Sequence, residues 1–592
     1  MRRDAAAARV EFAAARELFR SADERMRSPL AWPLRVVPVA STHMRVASSL
    51  TRIGMSFSDA GIVIADTMEG LPEQSLAFRE GRVNLGLVRK SRSALRIASR
   101  MSTEIDAAIA DMPSGWVGGP LSEPRRQARE LLPGVLEGVR KADAALGGLP
   151  SILAENGSKR YLVAFSNLSE LRGSGGLFGF VTSLTATDGD LDLDGFSGRP
   201  TEIFPEPGRV GLDYPAWFPP YLREQAQIFQ NINMTTDFPT VGRFVLQTAE
   251  AEGRAYDGVI AVDPIGIGAV LGVTGPVRVE GWPQMITAEN VAKVAMHDVY
   301  VAIENNKRRE DFFGELVRAA FDKLTASTIH FSASSAGRFD SAVRGGHFRM
   351  YSEHEADQGT FERIGAAGGV SRSRRATDVL SVVSQNAGGN KVDWFLRRDL
   401  RYRVVIDPDA RTATGTISAT FRNTAPSTGL PDYVISSLIP GLPRGTNRQI
   451  VTVVRGPRDE LVSLHVDGKD ATMVAGPEGS LSSYRSTIEA PPRERAELVA
   501  TTQVPRALAA QGSERIYRLH VLRQAVAHPD FLEVEIDVPA GWEAVGRTTF
   551  LGDLTQDQVF EVRIRRTLAG SVVDTLIGEP MRFFDRLLSR AP

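Results

Sequence analysis

The stretch of sequence that decides the central fold is Asn167-Leu-Ser-Glu-Leu-Arg-Gly-Ser-Gly-Gly-Leu-Phe-Gly-Phe-Val-Thr182. An apolar run at residues 161–165 leads into it and is predicted to end as a strand at Asn167, and a second β-prone run begins at Leu177. Glycines between the runs let the backbone turn sharply and lie close to other groups. We therefore predict two strands joined by a glycine-rich turn. Arg172 lies in that turn, where its guanidinium could bind a carboxylate or a phosphate.

The glycines of this turn do not form a nucleotide-binding motif. Their spacing differs from Gly-x-Gly-x-x-Gly, and the residues that follow favour a strand, whereas a dinucleotide fingerprint opens a helix. No Gly-Lys-Ser/Thr sequence of a P-loop follows either. Two interpretations of Arg172 stay open: a phosphate ligand, or a structural ion pair with Glu170 or a more distant acid.

Length and composition limit the classes of function. A chain of 592 residues is expected to form several domains. With 70 basic and 71 acidic residues, the net charge gives no sign of a nucleic-acid partner. The absence of cysteine excludes disulfides, thiolate zinc sites and cysteine nucleophiles. No apolar run of about 18 residues predicts a membrane span, and the N-terminal sequence indicates an amphipathic helix rather than a signal peptide.

The pattern of apolar residues along the chain predicts a multidomain α+β protein. Residues 1–148 repeat apolar positions at threes and fours, which indicates a helical stalk or bundle, and Gly147-Gly-Leu-Pro150 is expected to mark its boundary. Alternating strands and helices over residues 149–335 indicate an α/β sheet domain. Residues 336–545 favour a β-rich, sandwich-like region. Residues 546–592 are expected to hold a C-terminal strand and an amphipathic tail.

Two acids bracket the apolar strand of Tyr256-Asp-Gly-Val-Ile-Ala-Val-Asp-Pro264. Asp263 precedes a proline at the first position of a helix, which is typical of a helix cap. It would also lie at the carboxyl edge of a sheet, where ligands of α/β proteins usually bind. Asp257 is the second candidate, and both roles stay open for this pair.

A basic cluster, Lys307-Arg308-Arg309, precedes a helix whose first turn carries Glu310 and Asp311. Such a cluster is either a solvated face or a phosphate site formed with the helix N-terminal amides. Elsewhere, Asp188, Asp190, Asp192 and Asp194 form a dense acidic group. A glycan hydrolase would need two carboxylates facing each other across a sugar, and sequence spacing cannot show such a pair.

The segment Arg160-Tyr-Leu-Val-Ala-Phe-Ser-Asn-Leu-Ser-Glu-Leu-Arg-Gly-Ser-Gly-Gly-Leu-Phe-Gly179 resembles the signature of the family called domain of unknown function 4012, common in actinobacterial envelopes. Residues 233–239 and 257–263 also resemble that family's pattern. The family is in turn distantly similar to the LytR-CpsA-Psr proteins, magnesium-dependent phosphotransferases that move glycopolymers from polyprenyl pyrophosphate carriers to peptidoglycan. That similarity involves residues 257–279 and 287–324. The Pro-Arg-Asp-Thr-type motif of those enzymes is absent here.

The resemblance implies an extracytoplasmic protein, membrane-anchored or cell-wall associated through an anchor that this chain lacks. It implies a polyprenyl-linked glycan or cell-wall polymer as partner and no nucleic acid. By the same resemblance, Arg172, Arg308 and Arg309 would clamp phosphates as catalytic residues, and Asp257 and Asp263 would hold Mg²⁺. A non-enzymatic cell-wall scaffold or glycan-binding protein and a glycan hydrolase stay open as alternatives.

Overall fold

The computed structural model describes residues 2–29, 37–69, 77–79, 81–113, 117–204, 211–327, 329–330, 333–370, 377–511 and 514–567. Three regions follow one another along this chain: N-terminal helices, a central α/β sheet domain and a strand-rich C-terminal region. The fold class predicted from the sequence is therefore confirmed.

Helices dominate the N-terminal region, and α2 to α5 share one apolar core. The elements are α1 (Arg2–Arg27), α2 (Pro38–Glu69), β1 (Ala77–Arg79), β2 (Arg82–Val83), α3 (Leu85–Ala110), α4 (Ser122–Glu130) and α5 (Leu132–Ile152). The boundary expected at residues 147–150 lies inside α5 instead. Gly148 is buried against Thr360, where a side chain would overlap, so this glycine permits close packing rather than ending the helix.

The central domain is built on an eight-stranded sheet with the order β7-β1-β2-β5-β4-β3-β6-β8. Its strands are β3 (Ser158–Arg172), β4 (Gly175–Thr187), β5 (Asp190–Gly198), β6 (Gly258–Val262), β7 (Ile329–His330) and β8 (Phe348–Ser352). Its helices are α6 (Pro200–Ile203), α7 (Arg223–Ala226), α8 (Phe238–Ala251), α9 (Pro264–Thr274), α10 (Val291–Lys293), α11 (Val299–Ala302), α12 (Asn306–Ala326), α13 (Ala333–Arg344) and α14 (Glu355–Ile364). Because β8 pairs with β6, the sheet continues beyond residue 335.

Two apolar cores cover the faces of this sheet. One packs α8 and the connection around Phe218 and Phe229 against β3, β4 and β6. The other packs α9 and α12 against the opposite face and also includes Val434 and Ile435 of the C-terminal region. The second core therefore joins the central domain to the region that follows.

The glycine-rich motif forms a hairpin, as predicted, but its first strand is longer than expected. Strand β3 continues past Asn167 to Arg172, with an irregular register between Asn167 and Leu171. Side chains at two glycines would overlap neighbouring carbonyls: Gly173 lies against Met234 and Gly176 against Asn167. At these two positions glycine is needed because backbones approach each other closely.

The C-terminal region is a sandwich of two sheets around one large core. One sheet has the order β14-β13-β17-β11-β10-β20-β22 and the other β15-β16-β12-β9-β19-β23-β21, with β18 paired to β19. The strands are β9 (Asp378–Asn386), β10 (Leu396–Asp407), β11 (Thr412–Asn423), β12 (Asn447–Arg455), β13 (Glu460–Val466), β14 (Lys469–Asp470), β15 (Val474–Glu478), β16 (Leu481–Ala490), β17 (Arg495–Val504), β18 (Leu508–Gln511), β19 (Glu514–Val521), β20 (Asp530–Asp537), β21 (Trp542–Gly546), β22 (Thr549–Leu554) and β23 (Gln558–Arg566). A short helix, α15 (Asp432–Ile435), lies between β11 and β12.

The elements predicted for the C-terminal region can be compared with the structure one by one. The strands expected near residues 401–406 and 412–421 are confirmed as β10 and β11, which pair antiparallel. The expected C-terminal strand corresponds to β22 and β23, and the amphipathic tail at residues 581–588 lies outside the described residues. Among the described helices, none is long and apolar enough to cross a membrane.

Replacing Gly173 by alanine is expected to lower the free energy of unfolding by about 1–3 kcal/mol, because the new Cβ would overlap the Met234 carbonyl. The matched control is Gly157→Ala, since no heavy atom lies within 4 Å of the Cβ position there. Urea denaturation of both variants checks the prediction. Equal stabilities would show that the hairpin tolerates a side chain at its turn.

Candidate functional site

A cavity of about 130 Å³ lies between α12, the β3–β4 hairpin and two connections of the sandwich, β9–β10 and β11–β12. The polar residues that line it are Ser166, Asn167, Arg199, Gln230, Tyr300, Asn306, Arg309, Glu310, Lys391 and Tyr433. The other side chains that line it are Phe165, Leu177, Phe180, Pro264, Ile267, Ala295, Phe313, Leu316 and Val317. Ala295 comes from a π-helical turn between α10 and α11, a distortion frequent at functional sites.

One face of α12 forms a wall of this cavity. Six residues at helical spacing contribute to it: Asn306, Arg309, Glu310, Phe313, Leu316 and Val317. At a rise of 1.5 Å per residue the face extends over roughly 16 Å. The first three side chains are polar and the last three are apolar. The wall therefore changes from polar to apolar along the helix.

Arg309 is the central cation of the polar end, and it is only 4% exposed. Its Nη1 donates to the carbonyls of Ile303 at 2.7 Å and Glu304 at 2.8 Å, and Nη2 donates to the Asn306 side chain. The guanidinium carbon lies 4.3 Å from the ring centroid of Tyr433. Among the described residues, no carboxylate oxygen lies within 4 Å of it. Arg309 thus carries a buried positive charge that no acid in the described part of the chain pairs with directly.

Two tyrosines contact both Arg309 and a second cation, Lys391. The rings of Tyr300 and Tyr433 stack with centroids 5.8 Å apart, and the Lys391 Nζ lies 5.5 Å and 5.3 Å from them. The Tyr300 hydroxyl accepts a hydrogen bond from the Asn167 side chain. Burial raises the pKa of Tyr300 to about 12, so the phenol stays neutral and keeps its proton for hydrogen bonding.

Lys391 owes its charge to Glu170. Its Nζ lies 2.9 Å from Glu170 Oε2, and Arg172 Nη2 lies 2.9 Å from Oε1 of the same carboxylate. Burial alone would raise the pKa of Glu170, but the two cations outweigh it and hold the pKa at about 2. Burial would lower the pKa of Lys391, and the Glu170 carboxylate raises it overall. All three groups are therefore charged at neutral pH.

Arg172 does not line the cavity, and each nitrogen of its guanidinium already donates a hydrogen bond within the protein. Its Nε donates to Asn231 Oδ1 at 2.8 Å and its Nη1 to the Leu171 carbonyl at 2.9 Å. Its own carbonyl accepts from Gln524 Nε2 at 2.8 Å. Of the two interpretations left open by the sequence, the ion pair with Glu170 is the one that the structure contains.

The three predicted arginines do not converge on one site. Arg309 lines the cavity, Arg172 lies behind its wall, and Arg308 is exposed on the outer side of α12. Only the backbone N–H of Arg308 has a described role: it donates to the Asn305 cap at 3.0 Å. Phosphate binding by Arg308 stays a prediction.

Asp393 holds the motif to the sandwich. Its carboxylate accepts four hydrogen bonds of 2.5 to 3.0 Å, from the Leu171 N–H and from the side chains of Asn386, Asn447 and Gln449. Complete burial raises the pKa of Asp393 to about 6, against the effect of these donors.

The proposed magnesium ligands occupy opposite ends of β6, about 20 Å apart along the chain at 3.3 Å per residue. Asp263 Oδ1 caps α9 through the N–H groups of Ile265 and Gly266, and Oδ2 lies 2.7 Å from His347 Nδ1. The pair therefore does not fit one Mg²⁺ ion. The helix-capping role of Asp263, one of the two alternatives left open by the sequence, is confirmed.

Asp257 is similarly engaged at the other end of β6. Its Oδ2 accepts from the Arg160 N–H at 2.8 Å, and Oδ1 lies 3.3 Å from His354 Nε2. Within the described part of the chain, no cluster of three or more acidic, histidine or cysteine side chains has the geometry of a metal site. Mg²⁺ binding by either carboxylate stays a prediction.

Two members of the acidic group considered for a glycan hydrolase, Asp188 and Asp190, are exposed on the β4–β5 hairpin. Asp188 begins the tight turn between β4 and β5, and both Asp188 and Asp190 pair with Arg82. Neither carboxylate lines the cavity.

Sequence reasoning missed Lys391, Tyr300, Tyr433 and Asp393. One signal was present: Ser384-Gln-Asn-Ala-Gly-Gly-Asn390 resembles the strand end at Asn167 and directly precedes Lys391. In the structure Asn386 Oδ1 accepts from Gly388 and Gly389, and Asn167 Oδ1 accepts from Ser169. One asparagine lies three residues before Glu170 and the other lies five residues before Lys391, so each turn precedes one member of the Glu170–Lys391 ion pair.

Residues 156–300 match the family model for the protein of unknown function DUF4012. The match covers the glycine-rich motif, Glu170, Arg172 and Tyr300, and ends before Arg309. It agrees with the resemblance found in the sequence for this part of the chain. No curated protein matches the chain.

Solved structures provide only weak similarities. A candidate nutrient-binding protein of Legionella pneumophila matches with a TM-score of 0.21 and 10% identity, over 32% of this chain and 71% of that one. Yeast LTA4 hydrolase in complex with bestatin matches with a TM-score of 0.18 and 8% identity, over 28% of each chain. Similarities of this size support no conclusion on function.

The Glu170→Gln variant tests the ion-pair network through pH. The pKa of Glu170 is lower in the folded state, about 2 instead of 4.5, so its stabilisation is complete above pH 4.5 and is lost as the pH falls towards 2. We expect the variant to be less stable at pH 7 by about 3 kcal/mol. The difference in the free energy of unfolding between this variant and the wild type should become smaller below pH 4.5. Urea denaturation at pH 7, 4.5 and 3.5 measures it, and a constant difference would contradict the assignment.

Proposed function

We propose that this protein binds a polyprenyl-pyrophosphate-linked glycopolymer during cell-wall assembly in a bacterial envelope. The pyrophosphate would bind at Arg309 and Lys391, and the first isoprenoid unit would contact the apolar wall around Phe313. One observation carries the proposal: a buried arginine with no carboxylate partner among the described residues faces a cavity whose wall becomes apolar along α12.

The anionic end of the ligand follows from the charge of the site. A buried guanidinium is costly unless an opposite charge accompanies it. Its donors form a planar fork that matches phosphate oxygens, and a second cation, Lys391, lines the same cavity and contacts the same two tyrosine rings. A group with two linked phosphates could be bound by two cations that line one cavity.

The apolar end follows from the shape of the wall. Phe165, Phe180 and Phe313 lie at the same cavity as Arg309. A protein cavity of about 150 Å³ holds one benzene molecule. The present cavity therefore has room for about one isoprenoid unit. The rest of a polyprenyl chain would leave through the mouth, where Tyr433 is half exposed.

We propose binding, with transfer as a further step that the resemblance to LytR-CpsA-Psr proteins suggests. Arg172 bears on the non-enzymatic alternative, which predicts a buried ion pair for it and no concave basic pocket nearby; the ion pair is present, and a cavity lined by Arg309 and Lys391 is present as well. The contribution of Arg172 to the ligand site is indirect: it holds Glu170, and Glu170 holds Lys391 at the cavity. The extracytoplasmic, envelope-associated location and an actinobacterial origin belong to the same proposal.

Arg309→Gln is expected to weaken binding of farnesyl pyrophosphate, a short soluble polyprenyl pyrophosphate, by tenfold or more, roughly the value of a hydrogen bond to a charged group. The matched control is Arg318→Gln, an exposed arginine of the same helix that does not line the cavity. Isothermal titration calorimetry measures both affinities. Equal losses in the two variants would point to nonspecific charge attraction, and no loss in Arg309→Gln would refute the site.

The same titration tests whether binding of farnesyl pyrophosphate depends on Mg²⁺, as the family resemblance implies. Because Asp257 and Asp263 lie at opposite ends of β6, we expect the affinity for farnesyl pyrophosphate to change little, about threefold or less, when EDTA replaces Mg²⁺. A large loss that Asp257→Asn reproduces in the presence of Mg²⁺ would instead identify Asp257 as a metal ligand.

A further inference from the structure

A second, smaller pocket lies where the turn of the glycine-rich hairpin meets the sandwich. Its volume is about 30 Å³, and it is lined by Gly173 and Ser174 of the turn, by Ser381 of β9 and by Arg523, which follows β19. Arg349 of β8 lines it as well. The described lining of this pocket therefore contains two arginines and no carboxylate.

Arg523 carries a buried charge that the protein compensates only in part. The residue is 5% exposed, and its guanidinium donates from Nε to the Gln524 carbonyl at 3.2 Å and from Nη1 to the Thr555 carbonyl at 2.6 Å. Within the described ranges, Nη2 has no hydrogen-bond partner and no carboxylate oxygen lies within 4 Å of the guanidinium. Burial lowers the pKa of Arg523, because more distant carboxylates, that of Asp530 first, oppose the desolvation incompletely.

Glycines of the central domain leave room for the two arginines. A Cβ added at Gly345, after α13, would lie 2.9 Å from Nη1 of Arg523. A Cβ added at Gly346 would lie 2.6 Å from Nη2 of Arg349, and one at Gly368 would lie 2.7 Å from Cδ of the same residue. Side chains at these three positions would displace both guanidinium groups, so glycine allows them to form the wall of the pocket.

Two serine hydroxyls add hydrogen-bond donors to this wall. Ser174 Oγ is buried and has no hydrogen-bond partner in the described part of the chain. Ser381 is buried too, and its hydroxyl has no partner among the described residues. A buried hydroxyl without a partner is unfavourable. Together with Nη2 of Arg523, the two hydroxyls provide three donors for a group that occupies the pocket.

We propose that this pocket binds a single chloride ion between the central domain and the sandwich. A buried guanidinium is unfavourable without an opposite charge, and an anion would accept all three donors. The volume selects an anion of one atom, because about 30 Å³ is the space that one water molecule occupies in the liquid, whereas phosphate and sulfate carry four oxygens. Water fits the volume but brings no charge. This site does not depend on the proposed function, since Arg309 and Lys391 line the other cavity.

A chloride titration of the full chain tests the site. Sodium chloride replaces sodium gluconate at a constant total of about 0.3 M, which keeps electrostatic screening unchanged. Because chloride would bind only the folded chain, we expect the midpoint of thermal unfolding to rise by about 2 °C or more and the rise to saturate. Gluconate is too large for the pocket. No rise, or a rise that stays linear in chloride concentration, would overturn the proposal.

The double substitution Ser174→Ala and Ser381→Ala is expected to raise the chloride concentration at half-saturation by about tenfold or more, because hydrogen bonds to a charged group are lost. The matched control is the pair Ser93→Ala and Ser427→Ala, which changes two exposed serines that do not line the pocket. The control should stay within about twofold of the wild type. An equal change in both double variants, or no change in the first, contradicts the site.

Bromide locates the ion directly and requires no variant to fold. In wild-type crystals soaked in sodium bromide, an anomalous diffraction peak is expected within about 3.5 Å of Arg523 Nη2 and of the Ser174 hydroxyl. A water molecule at that position without anomalous signal, or bromide at other places alone, would refute the chloride site. Failure of farnesyl pyrophosphate to bind would refute the proposed function and leave the bromide result unchanged.

Discussion

The buried ion pair between Glu170 and Lys391 joins the central domain to the sandwich, and the candidate site depends on it. The two residues are 221 positions apart in sequence and their charged atoms are 2.9 Å apart. Buried charges are expensive to desolvate, so such a pair adds little net stability, yet removing one partner is strongly destabilising. Its physical effect is to allow one arrangement of the two domains, the arrangement in which Lys391 reaches the cavity.

Asp393 reinforces that arrangement by hydrogen bonding instead of charge pairing. One carboxylate accepts the Leu171 N–H from the central domain and amide donors from β9 and β12 of the sandwich. Since its folded pKa is about 6, above the ordinary 3.8, the stability that it contributes is complete below pH 3.8 and falls as the pH rises through 6. Glu170 acts in the opposite direction at lower pH. The domain contact therefore combines two carboxylates whose environments shift their pKa values apart.

Local patterns were sufficient to predict the elements, and long-range contacts decided the site. Asp263 and Asp237 could be recognised as helix caps because their partners lie within three residues. The extension of β3 to Arg172 could not be predicted, since its hydrogen-bond partners are the distant residues Asn231, Asp393 and Gln524. Likewise, no local pattern indicates that Tyr433 covers Arg309. The family resemblance located the motif correctly without showing that its arginine faces inward.

Arg172 and Arg309 show how the same side chain acquires different roles from its surroundings. Both guanidinium groups are buried, and both donate to backbone carbonyls. Arg172 also forms an ion pair with Glu170, so its charge is balanced within the fold. Arg309 meets aromatic rings, which attract a cation more weakly than a carboxylate does when both are desolvated. Its positive charge therefore remains available to the cavity, and an anion that enters with an apolar group attached would satisfy both the charge and the wall beside it.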